Sequence, residues 1–179
     1  MVFVSEIVTS VPTVYSTPLQ EKVYQVLQEL EIAFQRVATD EVITMEDCQQ
    51  INERLEMEMV KTLFLCNRQK TNFYLFVTRG DKAFKSKDFS QALEISRVSF
   101  ASLEQMTEML GTKIGAATIF STLLKEASNV QLVLDQDVCE QDYYGCSDGT
   151  TTGYLKLRTA DILQKFLPYT KCRPKIIEL

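Results

Sequence analysis

Two apolar runs separated by six polar residues constrain this chain more than any other feature. Val60-Lys61-Thr62-Leu63-Phe64-Leu65-Cys66 and Phe73-Tyr74-Leu75-Phe76-Val77 flank Asn67-Arg68-Gln69-Lys70-Thr71-Asn72. Runs of this composition joined by a polar link predict a β-hairpin. A strand alternates its faces, so Lys61, Leu63 and Leu65 point one way and Thr62, Phe64 and Cys66 the other. Upstream, Thr17-Pro18 is a helix start, with Thr at the cap and Pro at the first helical position. Val23, Val26, Leu27 and Leu30 give that helix one buried face. Residues 32–37 read as a strand, and Thr44-Met45-Glu46-Asp47 opens an acidic helix running to about Met57.

Downstream, Ser86 to Leu93 is a short helix and Val98-Ser99-Phe100 a short strand. Ser102-Leu103-Glu104-Gln105 is a capping box for a helix through Leu110, which Gly111 ends. After an irregular stretch from Thr112 to Phe120, a short helix is expected around residues 121–127 and a strand over Val130 to Leu134. Residues 140–153 read as a polar, Gly-containing stretch, Thr152 to Leu157 as a strand, and Thr159 as the cap of a last helix to Leu167, broken by Pro168. No internal repeat or interior linker interrupts the series. At 179 residues one compact domain is expected, burying roughly 70% of the unfolded chain's surface. The fold class expected is α/β (α+β): a single domain with a mixed β-sheet and flanking helices over residues 17–179. Residues 1–16, apolar and β-branched without a helical period, are an N-terminal extension or edge strand.

The chain contains no His, which removes Ser-His-Asp and Cys-His catalysis, the two-His zinc proteases and most mononuclear metal sites. Cys48, Cys66, Cys139, Cys146 and Cys172 form no C-x-x-C pair and are odd in number, which favours reduced thiols. The first 21 residues hold no Lys or Arg, and no apolar run is long enough to span a bilayer, so a soluble cytoplasmic protein is expected. The net charge of −5 hides an uneven distribution: −8 over residues 1–60, +5 over 61–97 and −2 over 98–179. The basic segment, with Arg68, Lys70, Arg79 and Lys82 among its cations, supplies either a phosphate-binding face or ordinary solvated charge.

Three places suit chemistry. Lys61 lies inside an apolar strand, where an ammonium is costly unless it lines a cleft or snorkels to water. Gly111 to Phe120 leads from a helix end to small residues around Gly115, either a tight turn or a place where a ligand approaches backbone N–H groups. Tyr143 to Thr152 is dense in hydroxyls and contains Cys146, Ser147, Asp148 and Thr150, which also compose ordinary turns.

Phe34-Gln35-Arg36-Val37, Val60 through Leu65, Arg97-Val98-Ser99-Phe100-Ala101-Ser102, Gly111 through Phe120 and Asp161 through Leu167 follow one another in an order that resembles the prolyl-tRNA editing family. These are the YbaK-type and synthetase-associated aminoacyl-tRNA deacylases, and the free-standing Ala-tRNA(Pro) deacylase branch is the most similar. The resemblance covers about Leu19 to Leu167. It implies a YbaK-like fold and trans-editing hydrolysis of the ester of mischarged tRNA(Pro), with alanine first and cysteine or another small amino acid next. It further implies Lys61 and Gly115 as catalytic, with Lys61 on the terminal nucleotide or ester carbonyl and the N–H groups of residues 115–119 on the developing oxyanion. Thr62, Ala116, Ala117, Thr118, Ile119, Cys146, Ser147 and Asp148 would bind substrate, and Arg68, Lys70, Arg79 and Lys82 acceptor-stem phosphates. The implied partners are tRNA and prolyl-tRNA synthetase, with no cofactor, no metal and no membrane. Ile119 stands where the family's Gly-x-x-x-Pro loop has Pro, Thr62 where the alanyl branch has Asn, and Cys146 near a His of the cysteinyl branch. These departures keep two other readings open: a non-catalytic module that binds aminoacyl-tRNA or an amino acid, and a thiol sensor built on Cys146.

Overall fold

The computed structural model describes residues 2–42 and 44–179, so residue 1 of the expected extension lies outside the described residues. The first helix, α1 (Pro18–Glu29), starts where its cap predicts, with the Thr17 side chain accepting from the Gln20 N–H at 3.0 Å. There follow β1 (Phe34–Ala38), α2 (Gln49–Leu55), β2 (Val60–Asn67), β3 (Phe73–Arg79), α3 (Ser86–Leu93), β4 (Val98–Phe100) and α4 (Leu103–Leu110). The predicted capping box of α4 has both of its reciprocal hydrogen bonds, and Gly111 closes the helix at φ 66°, a left-handed conformation that costs glycine little. The chain then runs through β5 (Val130–Asp135), α5 (Gln136–Cys139), β6 (Tyr143–Ser147), β7 (Gly153–Arg158), α6 (Thr159–Asp161), α7 (Leu167–Thr170) and β8 (Lys175–Ile177).

The strands form two sheets. One has the order β1-β7-β6 and is antiparallel; the other, β4-β2-β3-β5-β8, is mixed, with the predicted hairpin antiparallel at its centre and β5 and β8 added in parallel. The largest core lies between the sheets. Phe64, Leu75, Val77, Leu132 and Leu134 from the five-stranded sheet meet Tyr144, Cys146, Leu155 and Leu157 from the three-stranded one, with Val23 and Leu27 of α1 closing the side. Alternate residues of the same strands, Leu65, Phe76 and Val133, face the other way and are covered by Phe89 of α3. Ile51 and Leu55 of α2 cover Val37 and Tyr154 on the outer face of the small sheet. Residues 2–16 form no regular element, but the Ser5 and Val8 N–H groups donate to Ala38 and Arg36 carbonyls, which lays the segment along β1.

Five local expectations are corrected. The acidic helix begins at Gln49, not at Thr44: Thr44 and Asp47 cap one another, but the Cys48 and Gln49 N–H groups reach back only three residues, to the Met45 and Glu46 carbonyls, so the first turn is tighter than an α-helix, and the helix ends at Leu55 with Glu56 left-handed. The helix expected over 121–127 is two 3₁₀ turns, Ile119–Leu123 and Lys125–Ala127. The polar stretch 140–153 contains β6, whose hydroxyl and glycine content disguises a strand buried by its neighbours. Thr159 lies inside the last helix with no cap bond of its own. Pro168 does not break that helix, because a π turn over Ile162–Phe166 shifts the Leu167 N–H to the Ile162 carbonyl and delivers Pro168 into a new first turn, where its missing N–H costs little. Strand β8, only three residues long, carries no sequence signal of its own.

Candidate active site

The site arises from an incomplete sheet edge. Strand β4 covers β2 only from Leu65 to Asn67, and β6 touches the start of β2 through a single parallel bridge, Met59 to Gly145. Between these contacts the edge of β2 opens into a cavity of about 450 Å³. Cys146 and Ser147 of β6 form one wall, Ile114, Gly115 and Ala117 another, Phe100, Ala101, Leu103 and Met106 around the start of α4 a third, and Val42, Thr44, Met45, Cys48 and Tyr154 the rest beside β2 itself. The lining is predominantly apolar, and Lys61 is its one charged side chain among the described residues. No group of three His, Cys, Asp or Glu side chains among the described residues is placed to hold a metal ion, and no described helix is long and apolar enough to cross a membrane.

Lys61 is half-buried, and its ammonium donates to the backbone carbonyl of Lys82. Lys82 is itself fixed: its Nζ meets Asp135 Oδ2 at 2.8 Å and Asp137 Oδ2 at 2.7 Å. Asp135, fully buried, also accepts from the Thr78 hydroxyl at 2.7 Å. Burial opposes the charge on Lys82, but the two carboxylates outweigh it and raise its pKa, while the hydrogen bond from Lys82 lowers that of Asp137. The lysine at the cavity is thus held by a backbone carbonyl whose own side chain is clamped 53 residues along the chain, at Asp135.

The Gly115 turn is held in place by its neighbours. Gly115 has φ 83°, and the buried Thr118 hydroxyl donates to the Ser147 carbonyl at 2.9 Å, tying the turn to β6. The Ala116 N–H is spent on the Lys113 carbonyl, whereas those of Gly115 and Ala117 have no partner among the described residues. At the rim, Lys113 and Glu41 approach to 3.8 Å, an exposed pair of little energetic weight.

The predicted site residues therefore divide. Lys61, Thr62, Gly115, Ala117, Cys146 and Ser147 line one cavity. Ala116, Thr118, Ile119 and Asp148 do not: Ala116 and Ile119 are fully buried, and Thr118 acts as the tie just described. Asp148 faces inward, where it accepts from Gln20 Nε2 at 2.9 Å, the Tyr24 hydroxyl at 2.8 Å and the Thr150 hydroxyl at 2.7 Å. Burial raises its pKa against those hydrogen bonds. Burial and the Asp148 charge also push the Cys146 thiol far above its ordinary range, so it stays protonated near neutral pH, which argues against the thiol-sensor reading. Among the cations, Arg68 and Lys70 are exposed on the hairpin turn, while Arg79 is paired with Asp81 and Lys82 with Asp135 and Asp137. Met45, Met106 and Tyr154 line the cavity without a signal in the sequence, and Ala101 had one only as a member of the Arg97 to Ser102 stretch. Asp135 had one, a carboxylate at the end of an apolar strand.

The aminoacyl-tRNA editing domain family matches residues 39–165. The prolyl-tRNA editing protein ProX of Acetoanaerobium sticklandii is 29% identical over 112 residues, covering 63% of this chain and 68% of ProX. The prolyl-tRNA synthetase associated domain-containing protein 1 of Danio rerio is 24% identical over 161 residues, covering 89% of this chain and 86% of the relative. Among solved structures, hypothetical protein APE2540 superposes with a TM-score of 0.66 at 16% identity, covering 87% of this chain and 98% of that one. A candidate trans-editing enzyme for prolyl tRNA synthetase superposes with a TM-score of 0.64 at 14% identity, covering 92% and 99%. Both show the same mixed α/β fold.

Proposed function

The chain belongs to the aminoacyl-tRNA editing domain family, and from that premise we propose that it hydrolyses the ester of mischarged tRNA(Pro) in trans. Alanine is the first expected aminoacyl group and cysteine or another small residue the next. The observation that carries this reading is the meeting of Lys61 with the Gly115 and Ala117 backbone in one apolar cavity whose lining, among the described residues, holds no carboxylate. The names of the bacterial and zebrafish relatives support prolyl-tRNA as the substrate class.

An ester is already activated, which suits a site without His, Asp or Glu as a base. Lys61 spends one ammonium donor on the Lys82 carbonyl and has two left for the ester carbonyl or the terminal ribose. In an apolar wall that charge is little screened. Water attacks the carbonyl carbon, and the oxygen that becomes anionic is stabilised by the free N–H groups of Gly115 and Ala117 together with Lys61. The bond from that carbon to the ribose oxygen then breaks, and the ribose oxygen takes up the proton the water gave up. The adjacent ribose hydroxyl orients the water. The activity is assigned to residues 17–179, acting in the cytoplasm in association with prolyl-tRNA synthetase. Arg68 and Lys70 are its expected phosphate contacts.

The test is release of amino acid from Ala-, Cys-, Ser- and Pro-tRNA(Pro) by wild type and Lys61→Ala. Turnover of at least one mischarged substrate, lost in the variant, is expected; stability of all four in the presence of the protein would overturn the proposal. The second reading, a non-catalytic binding module, draws on the missing side-chain base and on Ile119 and Cys146. It predicts saturable binding without turnover that survives Lys61→Ala.

A further inference from the structure

The open edge of β2 has a defined polarity. The Asn67 N–H donates to the Asn72 carbonyl within the hairpin, whereas the Phe64 carbonyl accepts from the Ala101 N–H on the opposite side. The pairing of β2 with β3 runs from Val60 to Cys66 without a skipped residue, so odd-numbered residues bond to β3 and even-numbered ones face away from it. Beyond the bridge at Met59 and before the bond to Phe64, the outward peptide groups of Thr62 open into the cavity, and neither has a partner there among the described residues. A backbone donor and acceptor left together in an apolar lining are costly until something pairs with them.

We infer that the backbone N–H and C=O of Thr62 receive the α-aminoacyl group as a one-residue antiparallel bridge. The ligand's identity as an aminoacyl ester rests on the proposed deacylase reading. An α-aminoacyl group carries one N–H donor and one carbonyl acceptor at the spacing of a peptide residue, which is the complement of one unpaired strand residue. In an antiparallel bonded pair the two residues exchange both hydrogen bonds, which fixes the orientation. In the bound ester the ligand carbonyl lies on the Thr62 N–H, at the end nearer Lys61, and turns onto the Gly115 and Ala117 N–H groups only as it becomes anionic; the α-ammonium lies on the Thr62 carbonyl, nearer Leu63. Directly opposed residues share a face, so the side chain of an L-amino acid stands with those of Thr62 and Phe64, on the side where Cys146 packs. The same geometry that orients the amino acid therefore brings its ester to the lysine.

The experiment uses the full chain and the non-hydrolysable alanyl amide of 3′-amino-3′-deoxyadenosine. Amide exchange followed by NMR should find the Thr62 N–H exchanging fast in the free protein, unlike those of Leu63 and Leu65, and slowed by about tenfold or more at saturation. The propionyl analogue, which lacks the amino group, should bind wild type about tenfold more weakly than the alanyl one. Thr62→Pro removes only an unpaired edge N–H, a place where proline is tolerated, and should weaken alanyl binding by about tenfold. Equal affinity for the two analogues, an unchanged Thr62 amide at saturation, or no binding of the alanyl amide would each overturn the inference. If Thr62→Pro fails to fold, amide exchange and the propionyl comparison decide. Hydrolysis of mischarged tRNA with an unaltered Thr62 amide would sink this inference and leave the deacylase reading standing; a protected amide with no hydrolysis of any substrate would do the reverse.

Discussion

The two ends of the β2–β3 hairpin carry the same kinds of cation in opposite circumstances. At the turn, Arg68 and Lys70 are exposed and no carboxylate among the described residues pairs with them. About 20 Å away, at the end where β2 enters the cavity, Arg79 is bound to Asp81, Lys82 to Asp135 and Asp137, and Lys61 to a carbonyl. A tally along the sequence counts all five alike. In the folded molecule the turn supplies exposed surface charge that salt screens, whereas the closed end supplies one ammonium held in a fixed place by partners distant in the chain.

Asp135→Ala gives the most severe test of that contrast. It removes a fully buried carboxylate that accepts from Lys82, from Thr78 and from the Asp137 N–H, and a loss of about 3 kcal/mol in urea denaturation is expected, with deacylation falling as Lys82 and Lys61 loosen. A change within the error of the urea measurement would mean that the closed end is no better organised than the turn. Lys61→Ala should come next, lowering deacylation by about 100-fold while the unfolding midpoint moves little, since its removal leaves only the Lys82 carbonyl without a partner.

A smaller effect separates the ends by pH. Because Lys82 holds the Asp137 pKa below its ordinary value, the folded state binds that proton less readily than the unfolded one. The resulting stability is present above the unfolded pKa and lost as pH falls through the lowered one. The stability difference between wild type and Lys82→Met should therefore be flat between about pH 5 and 9, shrink as pH falls below about 4 and, because the Lys82 pKa is itself raised, shrink again as pH rises past about 10. A difference that grew on acidification would contradict the clamp. Least of all, Arg68→Glu with Lys70→Glu should leave folding unchanged and weaken tRNA binding, reducing the slope of log affinity against log salt by about 1.5. An unaltered slope would remove the turn from the RNA-facing surface.

Much of this fold was legible because its signals are local. The Thr17 cap, the capping box at Ser102 with Gly111 closing α4, the limits of α3 and β4 and the two halves of the hairpin all rest on contacts within a few residues. Where tertiary contacts decide, a short window of sequence misleads. Strand β6 looks like a turn until β7 pairs with it and the core buries Tyr144 and Cys146. Pro168 looks like a stop until a π turn carries it. The site divides in the same way. Lys61 stood out as a cation in an apolar strand, and Gly115 as a glycine among small residues. Nothing local distinguished Ser147, which reaches the cavity, from Asp148, whose carboxylate turns inward to Gln20 and Tyr24.

By itself, then, the sequence determined the alternation of elements, the central hairpin and the absence of imidazole chemistry, since each depends on residue type and near neighbours. Only the tertiary structure decided which cations are free, which side chains share the cavity and where a strand edge goes unpaired. Those depend on partners such as Asp135 and Ala101, which meet β2, β3 and the loop after β3 through packing that no short window of sequence contains.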